Sequence, residues 1–145
     1  MPIPLEPRYY PTDFQVTTVT LVAPTLQQYP VFLADRDCVI DSVTVYVEDN
    51  LTTARDMKVK EMVSTDGNPV NTLPTYATTS QDLNTAASTK TFSTTAGDYP
   101  QTHTFVMNSD RNFIPKGSRL WIQASGALAG IAGTVSVQVR WRSHL

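Results

Sequence analysis

Two stretches late in the chain alternate strictly between apolar and polar side chains. In 119–125, Leu120, Ile122 and Ala124 share one face, and Arg119, Trp121, Gln123 and Ser125 share the other. In 134–142, Val135, Val137, Val139 and Trp141 share a face opposite Ser136, Gln138, Arg140 and Arg142. Successive side chains on a strand point to opposite sides of a sheet, so this pattern predicts two strands, each with one buried and one wet face. It assigns Trp121 to the wet face. Ahead of them, Ile114-Pro115-Lys116-Gly117 reads as a β-turn, with proline to fix φ and glycine at the exit. Between them, Gly126, Gly130 and Gly133 are turn glycines, with Leu128 and Ile131 at an apolar tip.

The same reading extends backwards along the chain. Residues 15–23 predict a strand with Val19 and Leu21 on one face, closed by Pro24. The short apolar run 29–34 contains Pro30, which confines it to a sheet edge or a strand start. Residues 38–48 predict the best strand of the first half. Val39, Val43, Val45 and Val47 share a face that Asp41 interrupts, and Ile40, Ser42, Thr44 and Tyr46 take the other. In 55–64, Met57, Val59 and Val63 face inward despite Glu61. A short helix is the alternative there, because Arg, Met, Lys and Glu are good helix formers. Residues 65–102 are rich in Thr, Ser, Asn and Ala with scattered apolar groups. A structureless loop of that length is unusual in a compact domain, so one or two weak strands near 89–94 and a projecting loop are expected. Asp66-Gly67-Asn68-Pro69 marks a turn within it. A further strand at 103–107 carries Phe105 and Met107 on one side. About seven to nine antiparallel strands at this spacing suit an all-β fold, a jelly-roll-like β-sandwich.

Domain organisation follows from length and proline content. Residues 15–145 form one β-sandwich domain, long enough to bury roughly 70% of its unfolded surface without metal or disulfide staples. Residues 1–14 form an extended arm, because Pro2, Pro4, Pro7 and Pro11 fix φ and remove backbone donors. The arm also carries Ile3, Leu5, Tyr9, Tyr10 and Phe14, more such groups than a purely disordered tail holds. Tyrosines of this kind are enriched at interfaces, so the five are candidate contacts with a neighbouring subunit.

Composition narrows the classes of partner. Charged residues make up 17% of the chain, and the formal net charge is −2 with a pI near 5.5. No overall cationic field exists to draw nucleic acid or an anionic membrane, and neither is expected as a partner. The charge is uneven. From Arg111 onward there are five basic residues and no acidic one, while most acids lie between Asp35 and Asp66. Arg119, Trp121, Arg140 and Arg142 are therefore candidates for a basic surface with one aromatic. A stacking platform for nucleic acid uses several aromatics along a charged groove, and this set has one. The start of the chain has no apolar core of the kind a signal peptide carries, and no stretch approaches a membrane span. A soluble protein made in a cytoplasm is expected.

Catalytic chemistry is hard to find. His103 falls in a predicted strand and His144 beside the end of the chain, and no Ser or Cys sits in an activating turn. The single cysteine, Cys38, starts an apolar strand and reads as a small buried hydrophobe. Asp35, Asp37 and Asp41 lack the glycine and bidentate glutamate of a calcium loop, so turn solvation is their expected role. No zinc spacing and no phosphate loop appear. Asn50-Leu51-Thr52 matches the glycosylation acceptor pattern without a secretory signal beside it. No enzyme, cofactor or metal is expected. A carbohydrate- or receptor-binding β-sandwich, of the kind a phage fibre carries, is the alternative, with Trp121 and Tyr46 as its exposed aromatics.

The order of the motifs adds a resemblance. A proline-bearing arm is followed by Val-Ile-Asp-Ser-Val-Thr-Val-Tyr-Val at 39–47 and Phe-Ile-Pro-Lys-Gly-Ser-Arg-Leu-Trp-Ile at 113–122. A glycine-rich turn and Val-Ser-Val-Gln-Val-Arg-Trp-Arg at 135–142 complete the series. Together they resemble the small capsid decoration, or cement, proteins of tailed bacteriophages; residues 65–102 have no counterpart. The resemblance implies a jelly-roll-like homotrimer, synthesised in the host cytoplasm and placed on the outer capsid surface of the virion. Its partner there would be the major capsid protein, whose subunits it would clamp against internal genome pressure.

Overall fold

The computed structural model describes residues 14–22, 27–49, 51, 53–62, 80–126 and 134–144. Among them are ten strands: β1 (Gln15–Val22), β2 (Gln28–Leu33), β3 (Cys38–Val47), β4 (Arg55–Met62), β5 (Ser80–Asp82), β6 (Lys90–Phe92), β7 (Gln101–Phe105), β8 (Phe113–Ile114), β9 (Arg119–Ala124) and β10 (Thr134–Ser143). Two single 3-10 turns, Ala86–Ser88 and Ala96–Asp98, are the only helical pieces described.

All pairings are antiparallel, and they nest. β1 pairs with β10, β2 with β9, β3 with β7 and β8, and β4 with β5 and β6. Two further ladders, β10 with β3 and β9 with β4, join the nested pairs into two sheets. The first sheet runs β1-β10-β3-β7 with β8 also on β3; the second runs β2-β9-β4-β5 with β6 also on β4. A long hairpin rolled up in this way is a jelly roll, the all-β sandwich expected from the strand pattern.

The core lies between the inner faces. Ile40, Val43, Val45, Val47, Val135, Val137 and Val139 from the first sheet meet Met57, Val59, Leu120 and Ile122 from the second, all fully buried. Each such side chain contributes about 1.5–3 kcal/mol by leaving water. Val19 and Leu21 of β1 pack against this core half-buried, on the predicted face.

One expectation about β3 needs correction. Ile40 is buried and Val39 is only half-buried, the reverse of a simple alternation through Asp41. Ser42 stands opposite Arg140 and Ile40 opposite Trp141, so Asp41 is an extra residue in β3. A β-bulge of this kind shifts the phase of a strand by one. Cys38 and Ile40 therefore point inward before it, and Val43, Val45 and Val47 after it.

Elsewhere the pattern and the fold agree. Pro30 lies in β2, an edge strand of the second sheet. Residues 55–62 form a strand, not a helix, because β9 ladders against them along their length; Val63 lies outside the described residues. Glu61 shares the inner side with Met57 and Val59 and is itself buried. The turn after β8 closes with Ser118 N–H donating to Pro115 O at 3.1 Å, and Gly117 takes φ +92°, which favours glycine. In 65–102 the weak strands are β5 and β6, the latter at the place expected. The projecting loop and its 66–69 turn lie outside the described residues, as does the apolar tip with Leu128 and Ile131.

Candidate functional site

The residues singled out at the end of the chain do not form one surface. β9 and β10 are consecutive in the chain but belong to different sheets, so their outer faces point away from each other. Arg119 and Trp121 are thus on one sheet, and Arg140 and Arg142 on the other. Arg142 is also neutralised: its Nε donates to both oxygens of Asp41 at 3.0 Å, and Nη2 lies 2.9 Å from Oδ1. Trp121, expected in solvent, is only 1% exposed. It occupies the outer face of its sheet, in register with Pro30 on β2 and Lys60 on β4, outside the main core cluster. A basic face carrying an exposed tryptophan does not exist.

Two other surfaces do. The first is a cleft where β1 and β2, each at an edge of its sheet among the described residues, run side by side. It encloses about 460 Å³ and is lined by Val19, Val31, Phe32 and Trp141, with Pro30 and Leu33 at the rim and Gln15, Thr17, Asp35 and Arg119 around it. The Phe32 and Trp141 rings meet at 5.4 Å, tilted by 59°. Arg36 donates to Asp35 from Nε at 3.2 Å, and this bond holds the Asp35 carboxyl below its usual range. The cleft escaped the strand pattern because it belongs to no single strand. Its one local signal was Pro30, which marks an edge.

The second surface is the outer face of the first sheet. Thr18, Thr44, Tyr46, Thr102, Ser136 and Gln138 line a shallow depression of about 210 Å³, with hydroxyl and amide groups and no charge. Thr44 and Thr104 hydrogen-bond across strands at 2.9 Å. Tyr46 is exposed here, as the alternation of β3 requires after the bulge.

Of the arm residues, Ile3, Leu5, Tyr9 and Tyr10 lie outside the described residues, and Phe14 is 49% exposed where β1 begins. The groups considered for chemistry have structural partners. His103 Nε2 lies 2.7 Å from Ser88 O, and His144 stacks edge-on against Phe113. Asp37 accepts Lys116 N–H at 2.9 Å, and Asp41 holds Arg142. The three aspartates considered for a cation thus go separate ways. Among the described residues no group of three or more His, Cys, Asp or Glu is placed to hold a metal ion. Burial pushes the Cys38 thiol up to about 12, with the nearby Asp35, Asp37 and Glu61 charges adding to the effect. No described helix is long and apolar enough to cross a membrane.

The architecture is therefore that of a small jelly roll. No protein-family model matches the chain, and no curated protein does. Among solved structures it is similar to a chain of the cyanophage Pam1 capsid asymmetric unit, with a TM-score of 0.52 and 13% identity over 91% of this chain and 86% of that one. It also aligns to the T13 particle of IBDV with a TM-score of 0.43 and 12% identity, over 90% of this chain and 31% of that one. This chain thus spans about a third of the length of the IBDV chain. What the cyanophage similarity shows is the fold.

Proposed function

We propose that the protein is a structural component of a virus particle, a decoration or cement protein on the outer surface of a phage head. The observation that carries this reading is the extent of the cyanophage similarity. It runs over nine-tenths of this chain and most of the other, so a whole small jelly roll corresponds to a whole capsid component. The order of motifs at 39–47, 113–122 and 135–142 supports the same reading. The protein assembles as a homotrimer, contacts major capsid protein subunits, and uses Ile3, Leu5, Tyr9, Tyr10 and Phe14 of the arm as interface anchors. Several modest contacts on one trimer act together through effective concentration, which gives firm retention without a deep pocket. No catalytic step belongs to this role.

The test is retention on capsids that lack the protein. Full-length chain is expected to co-sediment with the shells as a trimer. A chain beginning at Gln15 should keep the β-sandwich circular dichroism and be lost from the shells. Equal retention of both would remove the arm from the proposal, and failure of the full-length chain to bind any head would remove the proposal itself.

The depression around Tyr46 favours a second reading, a carbohydrate- or receptor-binding module. An uncharged bed of hydroxyl and amide groups beside an exposed aromatic suits a neutral polar ligand. Binding on a glycan array that disappears in Tyr46→Ala would select this reading over the first.

A further inference from the structure

The cleft between β1 and β2 has the size and lining of a peptide groove. At about 460 Å³ it falls within the range that takes a small ligand or a short segment of chain. Its apolar lining is partly uncovered: Leu33 at the rim is 51% exposed and Pro30 is exposed as well. Phe32 and Trp141, 9% and 4% exposed, form its apolar floor beneath Pro30 and Leu33. Arg119, half-buried, stands at its side.

A segment with the complementary chemistry is present in the same chain. Residues 1–13 hold Pro2, Pro4, Pro7 and Pro11, with Leu5 and Glu6 between the second and third. Proline spacing of this kind favours extended polyproline backbone, which lowers the entropy lost on binding. Leu5 offers an apolar side chain, and Glu6 offers a carboxylate of opposite charge to Arg119. At about 3.1 Å per residue, thirteen residues reach roughly 40 Å.

The arm joins β1 beside the cleft, since Gln15 both starts the strand and lines the cavity. To enter its own cleft it would have to reverse between Pro7 and Gln15. Pro7 and Pro11 fix φ and bias Glu6 and Tyr10 before them toward extended backbone, a sequence constraint that disfavours such a reversal and favours the cleft of a neighbour. We propose that the cleft between β1 and β2 receives the proline-rich arm of a second copy of this chain, with Pro4, Leu5 and Pro7 against Leu33 and Pro30 above the Phe32 and Trp141 floor and Glu6 facing Arg119. The inference deepens the interface role given to the arm above and rests on that reading.

Sedimentation velocity on purified full-length protein, without capsids, tests it separately from shell binding. Leu5→Asp in the arm and Leu33→Asp at the rim each place a carboxylate against an apolar wall, and each is expected to weaken self-association at least about tenfold. Leu33 is half-exposed, so its replacement leaves the fold intact, which circular dichroism checks. Glu6→Arg and Arg119→Glu should each weaken association severalfold, and mixing these two proteins should restore it in part, because the arm of each then fits the cleft of the other at up to two of the three contacts of a trimer. A monomeric wild-type chain overturns the proposal. So does association indifferent to Leu5→Asp and Leu33→Asp. Restoration only by both charge reversals in one chain, and not by mixing, also overturns it, since the arm would then occupy its own cleft.

Discussion

Trp121 shows what a single position can hide. Alternation in β9 puts it opposite Leu120 and Ile122, and the structure agrees about the face. Alternation reports direction only; whether a side chain that points outward is covered depends on the rest of the chain. Its burial predicts that Trp121→Ala costs about 3–5 kcal/mol in urea unfolding. Tyr46→Ala, on a surface 39% exposed, should stay within about 1 kcal/mol. Cys38 gives a second prediction. Its thiol is fully buried and pushed up to about 12, so thiol reagents at pH 8 should modify it slowly in the native protein and rapidly in urea. The sign of the pH effect follows. Below the ordinary thiol range both folded and unfolded chains keep the proton and the contribution is fully present. Between about 9 and 12 only the unfolded chain ionises, and stability declines.

Among the elements, β4 is held by partners its own sequence does not reveal. Good helix formers in 55–62 are overruled by the ladder to β9 on one side and by β5 and β6 on the other. Asn84 seals that second side. Its Oδ1 accepts Val59 N–H at 2.8 Å, and its Nδ2 donates to Thr85 O at 2.9 Å. Asn108 Nδ2 in turn donates to Asn84 O at 3.1 Å. Asn84→Ala strands the buried Val59 N–H and should cost about 1–3 kcal/mol in the same urea assay. Asp82, beside it, is pushed up by burial. Lys60 and Lys58, with ammonium groups at 3.1 and 3.3 Å, outweigh this and hold its carboxyl below the usual range. The pair is partly exposed, so Asp82→Asn should lose less than about 1 kcal/mol at pH 7. A depressed carboxylate stabilises above its unfolded value, so that difference should fade as pH drops below about 4.

The whole molecule is built from contacts distant in sequence. β1 at the front of the domain pairs residue for residue with β10 at its end, from Gln15 opposite Trp141 to Val22 opposite Thr134. Closing such pairs costs loop entropy before any burial repays it, so refolding is expected in the millisecond-to-second range in stopped-flow fluorescence. The same nesting puts β1 and β2 at neighbouring edges among the described strands, with the cleft between them. It also sends β9 and β10 to opposite sheets, which is why the basic residues near the end of the chain never meet.

Strand identity was legible along most of the chain, because period-two alternation is a local consequence of backbone geometry. Val135, Val137, Val139, Leu120 and Ile122 needed nothing more to be placed in the core. Pro30 at an edge and Gly117 at a positive φ were legible for the same reason, since each is a constraint on one residue's own backbone. The phase shift at Asp41, the burial of Trp121, the separation of Arg119 from Arg142 and the β1–β2 cleft were not. Each depends on which strand lies beside which, and sheet partners are chosen by burial across the whole fold, not by neighbours in the chain.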